Sequence, residues 1–304
     1  MQDIIDSNNC LLVSICIPTY NGAPFIAEAM DSAIAQTYPN LEIVVSDDAS
    51  KDETLKIIES YKSRTTIPIN IYHHKPSGIG ANWNNCIKRA KGIYIKFLFQ
   101  DDVLLSHCIE KMLAVLVNDK TLALVASKRE FIVEDSFLSD DSEKWVKLYG
   151  DLQLTLNLSF DDGIGYLDKT LFKSPEFFKS PLNKIGEPTT VLFKKSLVDD
   201  IGYFREDLNQ VLDYEFCYRV LKNDKTAILE DKLVKFRLHN LQTTVKNKER
   251  DVYSTDYIVY ERIIFDNYFW YLNTITKKIF LRKFNPWVNN FYNTIDSIRK
   301  VMPK

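Results

Sequence analysis

The sequence predicts an α/β protein: a mostly parallel β-sheet with helices packed on both faces. Short apolar runs rich in branched residues alternate with segments of helical period through the first 126 residues. The runs are nearly continuous in apolar character, as strands covered on both faces are. Strands separated by a helix's length of chain must cross over and run parallel.

Taken in order, residues 11–17 (LLVSICI) form the first strand, closed by Pro18. Pro24 opens a helix whose apolar positions Phe25, Ile26, Ala29, Ala33 and Ile34 recur at helical spacing. The unit repeats as strand 41–45 with helix 52–62, strand 67–72 with helix 80–91, and strand 93–99 with helix 106–117, before a strand at 122–126. Past Ile132 the rhythm fails. Residues 134–184 read as a polar, aromatic, loop-like insertion on the substrate side, punctuated by Gly163, Gly165, Pro175 and Pro181. A strand at 190–193, a helix from Ser196, a helix around 213–221 and strands at 226–229 and 233–237 follow. Residues 253–302 return to helical period and are crowded with aromatics. Glu261, Arg262, Asp266, Lys277 and Lys278 interrupt them, so no apolar run reaches the length of a membrane span.

Composition excludes the unusual classes. With 45% hydrophobic and 26% charged residues, nine Gly and ten Pro, the chain is an ordinary folded protein and neither disordered nor fibrous. Cys10, Cys16, Cys86, Cys108 and Cys217 are odd in number and form no C-x-x-C pair, which predicts reduced core thiols in a cytoplasmic protein, with no zinc site or disulfide framework. The opening MQDIIDSNNC lacks the basic-then-apolar order of a secretion signal. From Lys246 onward, eleven Lys and Arg face six Asp and Glu, a surplus of five, against −2 for the whole chain. That contrast predicts a boundary near residue 245 and a basic, aromatic helical extension over 246–304. Such a tail either packs on the main domain or meets lipid headgroups at the cytoplasmic membrane face.

In parallel sheets ligands sit beyond the carboxyl ends of the strands. Asp47-Asp48 follow the strand 41–45, where a carboxylate can accept a hydrogen bond from a uracil imide or ribose hydroxyls; the alternative for Asp48 is capping the next helix. Asp101-Asp102 end the most apolar strand of the chain. Two carboxylates there repel one another unless a cation lies between them, and oxygen donors with phosphates suit Mg²⁺ or Mn²⁺. Capping is the alternative for Asp102. Asp213 and Glu215 open a helix, where acids commonly complement the dipole. Beside a metal-holding carboxylate, a second and separate one is what a transferase needs to take the proton of an attacking hydroxyl.

The runs V-S-I-C-I-P-T-Y-N-G, S-D-D-A-S-K-D-E-T and G-I-G-A-N-W-N-N-C-I-K-R-A-K-G-I-Y-I-K-F-L-F-Q-D-D resemble, in order and spacing, the amino half of the family 2 glycosyltransferases of GT-A fold. I-G-E-P-T-T-V-L-F-K-K, L-D-Y-E-F-C-Y-R-V and R-L-H-N-L-Q-T-T resemble that family's acceptor-side and closing motifs, so the likeness covers residues 12–245. It implies a GT-A domain over 1–245, with a Rossmann-like nucleotide-binding half at about 11–133 and an acceptor-side half at about 134–245. It implies further that Pro18, Thr19 and Tyr20 line the nucleotide base with Tyr20 stacking, that Asp48 contacts uracil, and that Asn82 belongs to the donor-binding set. Asp101 would touch ribose or metal-bound water, Asp102 would hold Mn²⁺ or Mg²⁺ against the diphosphate, and Asp213 would be the catalytic base. His239 would reach diphosphate or metal, aided by Gln242 and Thr244; its alternative is a structural role. The implied partners are a nucleotide-diphosphate sugar, UDP-linked, and a glycan or lipid-linked glycan acceptor, with no nucleic acid. Specificity is expected to reside in residues 134–190.

Two departures matter. The family often writes Glu-Asp at the base and this chain has Leu212-Asp213, so a carboxylate that orients the acceptor is missing or supplied elsewhere. The Q-x-x-R-W motif of membrane-embedded synthases is absent, which predicts a non-processive enzyme. Two other readings compete. A sugar-phosphate nucleotidyltransferase would want a Gly-rich, Arg-containing loop after the first strand, whereas P-T-Y-N-G-A-P has one Gly and no Arg or Lys. A nucleotide-sugar-binding subunit that had lost catalysis would not need Asp48, Asp102 and Asp213 together.

Overall fold

The computed structural model of the protein describes residues 11–249 and 251–301. Nine strands form one sheet in the order β3-β2-β1-β4-β8-β6-β9-β5, with β7 pairing β9 outside this path. The strands are β1 (Val13–Thr19), β2 (Leu41–Asp47), β3 (Ile69–His73), β4 (Tyr94–Phe97), β5 (Val103–Leu104), β6 (Leu122–Val133), β7 (Ile164–Leu167), β8 (Val191–Lys194) and β9 (Lys225–Leu238). β3, β2, β1 and β4 are mutually parallel, and so are β6 and β9. Only β8, running antiparallel to both β4 and β6, joins the two parallel sets.

The crossovers are α1 (Ile26–Ile34), α2 (Thr54–Tyr61), α3 (Ile79–Arg89) and α4 (Cys108–Asn118). Every residue of β1 and β2 is buried, and alternate side chains serve opposite faces. Val13, Ile15 and Ile17 face the core beneath α1 and α4, while Cys16 and Val44 face Trp83, Cys86 and Ile87 of α3. α1 buries Ile26, Ala29, Met30 and Ala33, one apolar stripe at helical spacing. It begins two residues after Pro24, with Phe25 as the flanking position. β1 also outlasts its expected end, because Pro18 pairs with Ser46 of β2 at a point where β4, last paired at Cys16, no longer lies alongside.

The second half departs further from the sequence reading. Within 134–184 lies α5 (Asp140–Tyr149), whose amino end carries a reciprocal pair: Ser142 N–H donates to the Ser139 hydroxyl (3.1 Å) and Ser139 N–H to the Ser142 hydroxyl (2.8 Å). The two strands expected at 226–229 and 233–237 are one continuous β9 with irregular register opposite Ser127–Arg129. α6 (Leu197–Ile201) and α7 (Leu212–Asn223) follow the expected order. The tail is four helices, α8 (Thr243–Glu249), α9 (Val252–Tyr268), α10 (Thr274–Phe284) and α11 (Pro286–Val301). Tyr260, Ile263, Ile264, Tyr268, Leu272 and Phe280 are buried in the same core as α7, so the tail packs on the sheet domain. Among the described residues, Cys16, Cys86, Cys108 and Cys217 are free and buried, and Cys10 lies outside them. No helix among those residues is long and apolar enough to cross a membrane.

Candidate active site

The carboxyl ends of β1, β2, β4, β6 and β9 and the amino end of antiparallel β8 share one edge of the sheet. The chain therefore delivers Thr19-Tyr20, Asp47-Asp48, Gln100–Asp102, Glu134, residues 183–190 and Arg237–His239 to a common rim.

At the β1–β2 end, Thr19 is buried and its hydroxyl donates to Asp47 Oδ1 (3.0 Å). Asp47 also accepts from the Ser50 amide (2.9 Å) and hydroxyl (2.5 Å), so Asp47 performs the turn-capping considered for its neighbour. Asp48 is left to face His74, whose Nδ1 lies 2.5 Å from Asp48 Oδ1. Burial pushes the Asp48 carboxyl up, and the His74 contact opposes that shift. Gln100 bridges to β1 by accepting from Tyr20 N–H (2.9 Å) and donating to Tyr20 O (3.2 Å). Its side chain fills the space a Cβ on Gly22 would need, 2.2 Å from Oε1, so a side chain there would displace Gln100 from its two bonds to Tyr20. Pro18 is enclosed within β1, whereas the Tyr20 ring is 52% exposed and open to a flat partner. Asn82 is buried with its Nδ2 3.5 Å from Thr19 O and its Oδ1 without a partner.

At the β4 end the two acids divide. Asp102 turns inward, is 1% exposed, and accepts from Arg237 N–H at Oδ1 (2.9 Å), while Oδ2 has no hydrogen-bond partner. Burial first, and then the neighbouring Asp101 charge, push the Asp102 carboxyl well above the usual range. Asp101 stays partly accessible, with Oδ2 3.0 Å from His239 Nε2. Leu241 N–H donates to His239 Nδ1 (3.2 Å), so in this arrangement the ring proton belongs on Nε2, directed at Asp101. Arg237 ties the rim together: Nε donates to Asp101 O (2.8 Å) and the terminal nitrogens pair with Glu134 and Glu28. Its guanidinium touches neither Asp101 nor Asp102 through their carboxylates. Their mutual repulsion is therefore relieved by a proton on Asp102 or by an added cation.

Among the described residues no three His, Cys, Asp or Glu side chains gather into a protein-only metal cage. Mg²⁺ and Mn²⁺ do not require one, since they bind through one or two carboxylates completed by phosphates and water. Asp101 at the open side, with the unpartnered Asp102 oxygen behind it, fits such an ion, and His239 joins it only by giving up its Nε2 proton and the bond to Asp101. Gln242, expected to help there, is engaged in the loop: it accepts from His239 N–H (3.2 Å) and donates to Arg237 O (3.1 Å). Thr244 lies on the exposed α8, its hydroxyl 3.5 Å from Gln210 Nε2.

Asp213 stands in the first turn of α7. Its Oδ2 accepts from Asn183 Nδ2 (3.1 Å), and its Oδ1 is shut off from solvent without a partner. Burial is the main cause that lifts its carboxyl to about 7, with the Glu187 charge adding to the rise. The tail sets the entry to this helix, because Asp256 of α9 accepts the backbone N–H groups of Asn209 (2.7 Å) and Gln210 (2.6 Å). His74, Asn183, Glu187 and Arg237 complete the rim beyond the residues expected from the sequence. Their motifs were in view, but their partners lie 26 to 209 residues away and no local pattern announces them.

Residues 14–202 match glycosyl transferase family 2. An uncharacterized glycosyltransferase of Rickettsia typhi is 32% identical over 238 residues, covering 77% of this chain and 66% of that protein, just under two thirds of its length. Among solved structures, S. aureus TarS 1–349 in complex with UDP-GlcNAc superposes with a TM-score of 0.59 at 19% identity, covering 90% of this chain and 71% of that one. The mannosyltransferase PcManGT from Pyrobaculum calidifontis, in complex with GDP-Man and Mn²⁺, gives 0.59 at 16% identity over 96% of this chain and 76% of its own. At these identities the two structures establish the fold, which is GT-A.

Proposed function

The chain belongs to glycosyl transferase family 2, and from that membership we propose that it is an inverting, metal-dependent, non-processive transferase that moves a hexosyl or N-acetylhexosaminyl group. The donor is a UDP-sugar and the acceptor a hydroxyl of a glycan or lipid-linked glycan, in surface polysaccharide or glycan assembly. The observation that carries the reading is the pairing of Asp101-Asp102 with an Asp213 carboxyl whose affinity for protons is tuned to about 7, on the same sheet edge. Tyr20 and Asp48 receive the base, as the Tyr20 ring is open and Asp48 is already aligned by His74. The structures of TarS with UDP-GlcNAc and of PcManGT with GDP-Man and Mn²⁺ support a nucleotide sugar and a divalent ion as ligands.

Asp213 takes the proton as the acceptor O–H bond breaks. The freed electron pair forms the new bond to the anomeric carbon, and the bond from that carbon to the diphosphate oxygen breaks on the opposite side. One displacement inverts the anomeric centre and leaves nucleotide diphosphate. Asp101, Asp102 and His239 would hold Mn²⁺ or Mg²⁺, which supplies charge neutralisation for the departing diphosphate. Asn183 fixes the orientation of Asp213, and the water-free Oδ1 keeps its basicity high. Incubating the purified chain with a nucleotide-sugar panel and Mn²⁺ tests this: release of UDP from one donor, abolished by chelator, is expected, and release unaffected by chelator would overturn the metal-dependent reading.

The tail supports a peripheral site of action on the cytoplasmic face of the membrane. Trp270 and Trp287 are 83% and 85% exposed, and Ile275, Ile279 and Phe291 also face solvent. Lys278 and Arg282 are exposed beside them, while Lys277 donates to Trp270 O (3.1 Å) and Lys283 pairs with Glu261. Aromatic rings flanked by basic side chains suit an anionic headgroup layer, where each cation contributes about 1 kcal/mol. Flotation with anionic vesicles at low salt and its loss in a Trp270→Ser/Trp287→Ser variant are expected. Equal recovery of both proteins in the unbound fraction would overturn it.

A further inference from the structure

Residues 183–190 (NKIGEPTT) lead into β8 and bond to Asp213 through Asn183. Asn183 Oδ1 accepts from Ile185 N–H (3.0 Å) and Gly186 N–H (2.9 Å), closing a tight turn while its Nδ2 reaches Asp213. A Cβ on Gly186 would lie 2.1 Å from the Thr190 hydroxyl and would push it off its bond to Glu187 O (2.8 Å). The buried ammonium of Lys96 donates to Thr189 O (2.5 Å) and pins the segment to β4. Held in this way, Glu187 accepts at Oε1 from Arg129 (2.7 Å), whose guanidinium is buried over the Phe131 and Phe236 rings. Its second oxygen, Oε2, is cut off from solvent and has no hydrogen-bond partner. Glu187 is also near enough to both Asp102 and Asp213 for its charge to push both of their carboxyls up.

A purely structural ion pair gains nothing from leaving one carboxylate oxygen desolvated and unpaired, since that costs stability. A bound hydroxyl would satisfy it. The transferred sugar must lie between the diphosphate held at the end of β4 and the base on α7, and the Glu187 charge is felt by the carboxyls at both ends, Asp102 and Asp213. We propose that Glu187, fixed by Arg129, accepts hydrogen bonds from hydroxyls of the sugar being transferred. This rests on the glycosyl-transfer reading above.

The experiment compares dissociation constants, with Mn²⁺, for UDP and for whichever of UDP-glucose, UDP-galactose, UDP-GlcNAc and UDP-GalNAc binds the parent most tightly. In Glu187→Gln the UDP constant should stay within about twofold while the nucleotide-sugar constant rises roughly tenfold or more, the worth of a hydrogen bond to a charged group. Glu187→Asp, which keeps the charge but withdraws it by one methylene, should give the same split and provides the test if the amide variant fails to fold. Equal shifts for both ligands, no shift for either, or a rise confined to the KM of the acceptor would each overturn the assignment. A parent chain that binds none of these sugars more tightly than UDP and releases no UDP from them would overturn the transferase reading itself, and this inference with it.

Discussion

Replacing Asp213 by Asn exchanges one oxygen for an amide of the same shape. The contact that orients the side chain survives, because Asn183 Nδ2 can donate to the amide oxygen as it does to Oδ2 (3.1 Å). What disappears is the ability to accept a proton. Loss of a general base costs a factor on the order of 10² to 10⁴, or about 3–5 kcal/mol of barrier. The parent should also show an acid limb set by this group. With the carboxyl at about 7, roughly a tenth of the molecules are ionised one pH unit below, so kcat/KM should fall about tenfold per unit on the acid side and level off above. The assay is initial-rate UDP release at saturating donor from pH 5.5 to 8.5, for parent and variant, with donor affinity measured alongside. Affinity unchanged, rate reduced and acid limb abolished is the expected triad. A variant within tenfold of the parent, or one that keeps the acid limb, would mean that Asp213 only complements the dipole of its helix.

The metal reading predicts that Mn²⁺ strengthens the thermal stabilisation given by UDP, and that Asp101→Asn and His239→Ala remove the increment while leaving the apo melting temperature within a few degrees; an increment that persists in both variants would assign the ion elsewhere. Asp102 and Asp213 both bind protons more tightly folded than unfolded, so the folded chain retains protons that the unfolded chain releases and stability should decline as pH rises from about 4 to about 7. Urea unfolding at the two ends of that window should show Asp213→Asn flattening the slope, and an identical slope would contradict it. Lys184 is buried, its ammonium donating to Thr155 Oγ1 and Lys179 O (both 3.0 Å), and burial lowers its amine to about 8. Its folded form therefore sheds a proton the unfolded form keeps, stability should rise as pH climbs from about 8 towards 10, and Lys184→Met should be stabilising at pH 7 with an advantage that shrinks as the amine discharges. A methionine variant that melts below the parent at pH 7 would refute this.

The amino half was legible because its signals are local. β1 and β2 read as strands since parallel strands covered on both faces are apolar throughout, and the acids at their ends stood out against that background. The sequence reads as two strands where β9 is one, because Glu230, Asp231 and Lys232 are exposed and charged in its middle, where the register against β6 slips. α5 carries no start signal in the sequence, because its capping pair is Ser with Ser, without the glutamate that usually marks such a start. Arg237 was the least visible. The alternation L-V-K-F-R-L suggests a solvent-facing position, yet it is 5% exposed, and its partners Glu28, Asp101, Asp102 and Glu134 come from three other parts of the chain.

The antiparallel join through β8 has a consequence for how the molecule comes into being. β4 pairs with β8 at Tyr94↔Lys194 and Lys96↔Leu192, a closure spanning about a hundred residues, and contacts so distant in sequence form late because the loop entropy must be met first. A ribosome that has released only the first 130 residues has already exposed everything needed for β3, β2, β1 and β4, with their helices and the strand-end acids Asp48, Asp101 and Asp102. Asp213, the proposed proton acceptor, the clamp Arg237 and His239 have yet to be synthesised. A nascent or truncated chain of this kind carries the acids proposed for the donor without the carboxyl proposed as base, and the two sides of the rim come together only when the seam at β8 closes.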